Sequence, residues 1–292
     1  MTPSRSGVFR EKSAMSRIAT WTPVLILLAV TAIARAADPL ESNPKLYSTL
    51  WMQTSAEYQA LCQQIYANAT QAVLQRAGEM GQTGLPLAVV MDLDETVLDN
   101  GVYQQHRMYG GRAPFSEFVA EHKDRIRLVP GAKDFIDAVS EHGIAVVYIS
   151  NRRDSIAEAT VSTLELNGIG TVTNGSLPLA ERTQQMKSER RLLLMTGEDH
   201  SKRGRRALAA EKYRIVAYFG DKLADFPGPF EWEQRPSPAE RRAAVVDVQT
   251  DSPRPFGTRW FLLPNTVYGD WEWALGDAPG EYIGTPSDGI QP

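Results

Sequence analysis

The chain has 292 residues, 42% hydrophobic and 23% charged, with one cysteine, four histidines and a formal charge of −4. These are the proportions of a folded soluble chain, and they exclude intrinsic disorder, collagen and a polytopic membrane protein. Cys62 alone permits no internal disulfide and no cysteine-rich zinc site, and His106, His122, His142 and His200 form neither HExxH nor a pair at helical metal spacing. Chemistry is left to carboxylates, lysine and arginine.

The charge is unevenly placed. The first 36 residues hold Arg5, Arg10, Lys12, Arg17 and Arg35 against Glu11, and the apolar run Trp21 to Ile33 (WTPVLILLAVTAI) follows. That run is short for a membrane span, and Ala34-Arg35-Ala36 supplies a small-x-small cleavage site, so residues 1–36 read as a signal peptide cut before Ala37. Met15 is an alternative start, because MSRIATWTPVLILLAVTAIARA is itself a complete leader. Removal leaves 26 Lys and Arg against 34 Asp and Glu, a formal charge of −8. An acidic mature chain gives no electrostatic case for a nucleic-acid polymer as partner. The expectation is a periplasmic or secreted protein with no stable membrane anchor after cleavage.

Residues 37–84 form an N-terminal helical segment. Tyr58, Leu61, Cys62, Ile65, Tyr66, Ala69, Val73 and Leu74 recur at three and four residues, which predicts one helix from about 48 to 78 with Cys62 as a small buried hydrophobe. From Leu85 short apolar runs alternate with amphipathic stretches, the pattern of a doubly wound α/β parallel sheet with a small helical satellite. Leu87 to Met91 (LAVVM) is a buried strand stopping at Asp92, and an insert spans 100–130. A helix from Lys133 to His142 ends at Gly143. Ile144 to Ile149 is a second strand, stopping at Ser150, and Ser155 with Glu158 predicts a capping box for a helix running to Gly168. Leu192 to Met195, Arg214 to Phe219 and Trp260 to Leu263 are further strands. A basic helix covers about 201–212, a short helix lies near 239–244 in a proline-punctuated stretch, and the core runs over 85–275 before a tail at 276–292.

Ligands in such sheets bind beyond the carboxyl ends of the strands. Asp92-Leu93-Asp94 follows the first strand, where one carboxylate can attack phosphorus and a second can protonate a leaving oxygen and later deprotonate water. Ser150-Asn151 ends the second strand with two neutral groups placed to hold an anionic oxygen. Lys202 begins the basic helix, and Gly220-Asp221 and Asp225 follow the third strand. Each has a bland alternative: a DxD occurs by chance, Ser and Asn cap helices, and charge runs are solvated faces. In this order, each at a strand end or helix start, they supply the parts of a phosphoryl-transfer site. Converging carboxylates imply a hard divalent cation.

Asp92-x-Asp94-x-Thr96, Ser150, Lys202 and Gly220-Asp221-x-x-x-Asp225 resemble the four motifs of the haloacid dehalogenase superfamily of phosphatases. More narrowly, MDLDETVLDN (91–100), VPGA (129–132), SNR (150–152), GDKLADF (220–226) and LPNTVYGDWE (263–272) are similar to the class C nonspecific acid phosphatases, the lipoprotein e family of 5′-nucleotidases. The resemblance implies a phosphomonoesterase with Asp92 as nucleophile and magnesium ligand. It implies Asp94 as general acid/base, binding Mg2+ through its carbonyl, and Asp221 as the remaining metal ligand. Ser150, Asn151 and Lys202 would bind phosphate, with Thr96 and Asp225 supporting from behind. Tyr268 matches one side of an aromatic clamp for a nucleoside or aryl group, and Phe115 and Phe118 are candidates for the other. Small-molecule phosphomonoesters are the implied partners; dimers occur among relatives, so a homodimer is within what the resemblance allows. Two departures stand out. Ala36-Ala37-Asp38 offers no cysteine for lipid attachment, and Lys222 stands where relatives often have asparagine. A phosphotransferase would use the same residues, whereas a non-catalytic nucleotide-binding relative would lose a motif aspartate and none is missing. A DxD sugar-nucleotide transferase would not need Lys202 or the Gly220-Asp221 element.

Overall fold

The computed structural model describes residues 40, 43–81, 84–170, 172–174, 191–196, 201–251 and 253–283. The chain divides into two compact units, 1–43 and 44–292. Of the first, only Leu40 and Asn43 are described, so the leader and its cleavage site lie outside the described residues. No described helix is long and apolar enough to cross a membrane.

The second unit opens with α1 (Leu46–Thr54) and α2 (Ala56–Met80). The break between them, which periodicity misses, has a local cause. Ser55 is extended, at φ −78° and ψ 137°, and its hydroxyl accepts the Tyr58 N–H at 3.0 Å, so it caps a new helix instead of continuing the old one. The buried stripe of α2 is Tyr58, Cys62, Tyr66, Ala69, Val73 and Ala77. Leu61 falls off it at 38% exposed. Burial pushes the Cys62 thiol up to about 11, the state of an inert core residue.

The strands in chain order are β1 (Leu87–Met91), β2 (Leu98–Asp99), β3 (Arg127–Leu128), β4 (Ala145–Arg153), β5 (Thr173–Asn174), β6 (Arg191–Thr196), β7 (Arg214–Gly220) and β8 (Trp260–Leu262). Between and after them run α3 (Gly101–Met108), α4 (Phe115–His122), α5 (Ala132–Glu141), α6 (Ala157–Leu166), α7 (Lys202–Lys212), α8 (Pro238–Val248) and α9 (Asp270–Ala274). Six strands form one parallel sheet in the order β5-β6-β4-β1-β7-β8. All five residues of β1 are buried because both faces are covered. Leu87, Val89 and Met91 pack into a core with α2, α5 and α6, while Ala88 and Val90 face Ala209 and Tyr213 on the α7 side. Each large apolar side chain so buried contributes about 1.5–3 kcal/mol of transfer free energy. The sheet is thus doubly wound, as its sequence pattern predicts. β1 lies between β4 and β7, where the chain, having built outward through β4, returns to the other side; the crevice beyond its carboxyl end is the expected ligand position.

The insert forms the helical satellite, α3 and α4, closed at its base by a two-residue antiparallel ladder in which Leu98 faces Leu128 and Asp99 faces Arg127. Two expectations fail nearby. β4 runs on through Ser150 to Arg153, with a register irregularity against β6 between Ile149 and Arg153. The Ser155 capping box is absent, because the longer strand delays the helix: a 3-10 turn occupies Asp154–Ile156, and α6 starts beyond Ser155 with no side-chain cap. α8 does begin with a capping box, Ser237 Oγ accepting the Glu240 N–H at 3.2 Å and Glu240 accepting the Ser237 N–H at 2.7 Å.

Candidate active site

β1 and β7 end side by side, and their carboxyl ends bring Asp92 and Asp221 together. Asp92 is held at its main chain by donating its N–H to the Phe219 carbonyl at 2.9 Å. Asp225 arrives from the 3-10 turn Leu223–Asp225, where its Oδ2 accepts the Lys222 N–H at 2.9 Å. One carboxylate oxygen from each of Asp92, Asp221 and Asp225 lies within 4.8 Å of the other two, and all three residues are buried. Lys202, the first residue of α7, bridges this cluster: its Nζ donates to Asp92 Oδ1 at 2.7 Å and to Asp225 Oδ1. Ser201 caps the helix that presents it, accepting the Gly204 N–H at 3.2 Å.

Burial pushes the Asp92 carboxyl up to about 6 against the opposing pull of Lys202, and Asp225 and Asp94 add to the rise. Burial likewise drives Asp221 well above the carboxylate range, although Lys222 pulls it down. Lys202 is the reverse case: burial alone would lower it, but Asp225 and Asp92 hold its ammonium above the usual lysine range. On Asp221, Oδ2 accepts from Asn265 Nδ2 at 2.7 Å, while Oδ1 is buried with no hydrogen-bond partner. A buried carboxylate oxygen left orphaned beside two more carboxylates fits a hard divalent cation with oxygen ligands.

Asp94 is set apart from this cluster by its own partners. Its Oδ1 accepts three hydrogen bonds, from Arg152 Nη2 at 2.8 Å, Arg152 Nε at 3.0 Å and Asn100 Nδ2 at 2.8 Å. Burial would raise this carboxyl, but the Arg152 guanidinium and these bonds override it and hold Asp94 below its ordinary value. Arg152 comes from the extended end of β4, its side chain fully buried, and spends its remaining donors on Asn100 Oδ1 and Thr160 Oγ1, each at 3.2 Å. Thr96 is buried in the loop that follows, where the Leu93 carbonyl accepts from Thr96, Val97 and Leu98 N–H groups and the Thr96 carbonyl accepts from Tyr66 Oη at 2.6 Å. Ser150 is buried, its Oγ accepting the Arg152 N–H at 3.1 Å. Asn151 is exposed, with Oδ1 accepting from Arg205 Nη2 at 2.5 Å.

A pocket of about 290 Å³ opens beside Asp94, walled by Tyr103, Phe115 and Tyr268 and edged by Asn100, Gln104, Asn151, Arg152 and Lys222. The Arg152 guanidinium carbon lies 5.2 Å from the Phe115 ring centre, and Lys222 Nζ lies 4.9 Å from that of Tyr268. Of the two phenylalanines singled out from the sequence, only Phe115 lies on this wall. Phe118 is 2% exposed and packs behind Tyr103, between His106 and His122. Sequence reasoning missed Tyr103, Glu95, Asn100, Arg152, Arg205 and Asn265. Arg152 and Asn265 sit inside the SNR and LPN segments, and Glu95 and Asn100 inside MDLDETVLDN, so each lay in a motif segment without a role assigned to it.

Fold and site together place a buried cluster of aspartates beyond the carboxyl ends of the central parallel strands of an α/β sheet. The model of the HAD superfamily, subfamily IIIB (acid phosphatase), matches residues 17–271, and the chain belongs to that family. The structure of the class C acid phosphatase from Bacillus anthracis is 30% identical, covering 86% of this chain and 94% of that one with a TM-score of 0.65. The crystal structure of that organism's class C acid phosphatase with tungstate bound is 32% identical, covers 84% of this chain and 92% of that one, and has a TM-score of 0.62. The protein is accordingly a phosphomonoesterase of the class C acid phosphatase type. Phosphatases of this superfamily are metal-dependent, and a buried aspartate cluster is present here.

Proposed function

We propose that the protein is a magnesium-dependent acid phosphatase that hydrolyses nucleoside 5′-monophosphates and aryl phosphates through an aspartyl-phosphate on Asp92. The observation that carries this reading is the buried set Asp92, Asp221, Asp225 and Lys202 beside a pocket with aromatic walls. Tungstate binding by the Bacillus anthracis relative supports an oxyanion site in this family.

Asp92 and Asp221, with the Asp94 main-chain carbonyl, would hold Mg2+, and Asp225 would keep Lys202 and the turn after β7 in place. The bound cation supplies positive charge against the phosphoryl oxygens and the nucleophile. In the first step an Asp92 carboxylate oxygen attacks phosphorus in line and the bond to the ester oxygen breaks; the negative phosphoryl group beside Asp94 would raise its carboxyl from the low value that Arg152 sets, so that Asp94 carries a proton and delivers it to the ester oxygen. In the second, Asp94 takes a proton from water, whose oxygen attacks phosphorus and releases inorganic phosphate and the restored Asp92. Lys202, with Ser150 and Asn151, holds the phosphoryl oxygens where charge develops. Phe115 and Tyr268 face the planar group of the substrate.

The leader 1–36 is removed on export, leaving the helical segment 37–84, the core 85–275 with its insert at 100–130, and the tail 276–292 to work in the periplasm or outside the cell. Purified protein is expected to release phosphate from an aryl phosphate at mildly acidic pH, to lose that activity to a chelator and to regain it with magnesium. Asp92→Asn is expected to lose at least about a thousandfold in kcat; activity near wild type in that variant overturns the nucleophile assignment.

A further inference from the structure

Glu95 lies between the two-aspartate motif and β2, at φ 58°, and is the single non-glycine residue with positive φ among the described residues. That conformation disfavours L side chains and suits glycine. The residue is nonetheless a glutamate, 2% exposed, and both carboxylate oxygens are spoken for. Oε1 accepts the Asn100 N–H at 3.2 Å; Oε2 accepts from Asn100 Nδ2 at 3.1 Å and from the Tyr268 hydroxyl, 173 residues away in sequence. The main chain at Tyr268 is fixed separately, Asn265 Oδ1 accepting the Val267 N–H at 3.0 Å and the Tyr268 N–H at 3.3 Å. The phenol end of the side chain is therefore fixed by Glu95, and its ring stands on the pocket wall.

We propose that Glu95 is a positioning residue for substrate selection: it holds the Tyr268 ring as the wall against which the planar group of the phosphomonoester lies. This rests on the reading of the pocket as the planar-group site. Asn100 extends the tie, since its Nδ2 also bonds Asp94 Oδ1 at 2.8 Å. The aromatic wall is thereby held in register with the group that protonates the leaving oxygen. An unfavourable backbone at this position is explained by that tie, because no glycine could reach the phenol.

The test compares KM for an aryl phosphate with KM for glycerol phosphate in the purified enzyme. Tyr268→Ala is expected to shift the ratio against the aryl substrate by about tenfold, the scale of one aromatic contact. Glu95→Gly, which the positive φ favours structurally, and Tyr268→Phe are each expected to shift it by about three- to tenfold, the scale of one lost hydrogen bond. The double variant should shift it no further than either single, because both remove the same bond. Glu95→Gln, whose amide still reaches the phenol, should stay closer to the wild-type ratio than Glu95→Gly. If Tyr268→Ala shifts the ratio and Glu95→Gly does not, the positioning role is overturned while the pocket reading stands. An unchanged ratio in Tyr268→Ala overturns both. A loss in Glu95→Gly that is equal for the two substrates shows a structural role only and also overturns the proposal.

Discussion

A guanidinium with no exposed side-chain surface is tolerated only when its donors are used, and Arg152 uses them on Asp94, Asn100 and Thr160. Its Nε and Nη2 both reach Oδ1 of Asp94, and Nε lies 3.4 Å from Oδ2, an orientation of the carboxylate that a lysine, as a point charge, cannot reproduce. Arg152→Lys is expected to lower kcat on the order of a hundredfold for an alkyl phosphate, whose leaving oxygen needs a proton, and less than tenfold for nitrophenyl phosphate. Equal losses on both substrates would show that Arg152 acts only on folding. Asp92, Lys202 and Asp221 were legible in the sequence because each directly follows a strand or starts a helix, where side-chain direction is set by the fold, and Asp94 because it completes the DxD pair begun by Asp92. Arg152 and Glu95 lay inside motif segments, but their partners, Asp94 and Tyr268, 58 and 173 residues distant, were not legible, because no spacing or charge pattern pairs them. Phe118 shows the opposite failure: an aromatic spacing of three on α4 sends one ring to the pocket and the other into the interior.

At the scale of elements, the apolar runs located β1, β4 and β7 because a strand covered on both faces leaves a continuous hydrophobic signature. Their ends were less legible. β4 continues through polar residues because pairing with β6 persists past its irregular register, and no apolar pattern records that. The turn after β7 depends on a close approach instead. A Cβ at Gly220 would overlap the side chain of Asp225, although the Gly220 backbone itself is unstrained. Gly220→Ala is expected to displace Asp225 from Lys202 and from the Lys222 N–H, lowering kcat together with Tm, the latter by about 3–10 °C in calorimetry. A variant with unchanged Tm and activity would show that the turn absorbs the extra carbon.

Across the whole molecule the acid cluster makes stability depend on pH. Asp92 is pushed up to about 6, Glu95 to about 8 and Asp221 well above its ordinary value, burial being the largest cause in each. The folded chain then holds protons that the unfolded chain has released, so stability falls as pH rises from the ordinary carboxylate range through about 8. Asp94, held low, acts in the other direction, but only below its ordinary value of 3.8. Chelator-treated protein is therefore expected to show its highest Tm near pH 4 and a steady decline towards pH 8. Excess magnesium should flatten that decline, because it binds the ionised cluster of the native state. Coincident curves with and without magnesium would count against a cation at this cluster.

The two-residue ladder between β2 and β3 closes the base of the satellite while Asp92, Ser150, Lys202, Asp221 and Asp225 all lie outside it. Tyr103 and Phe115, two of the three aromatic walls, lie inside. The stretch from 100 to 126 thus supplies aromatic wall while the phosphate-handling groups come from the sheet ends, although Val119 and Ile126 tie it into the main core. Substitution of Tyr103 or Phe115 is therefore expected to change which esters bind while Asp92, Asp221, Asp225 and Lys202 keep their places.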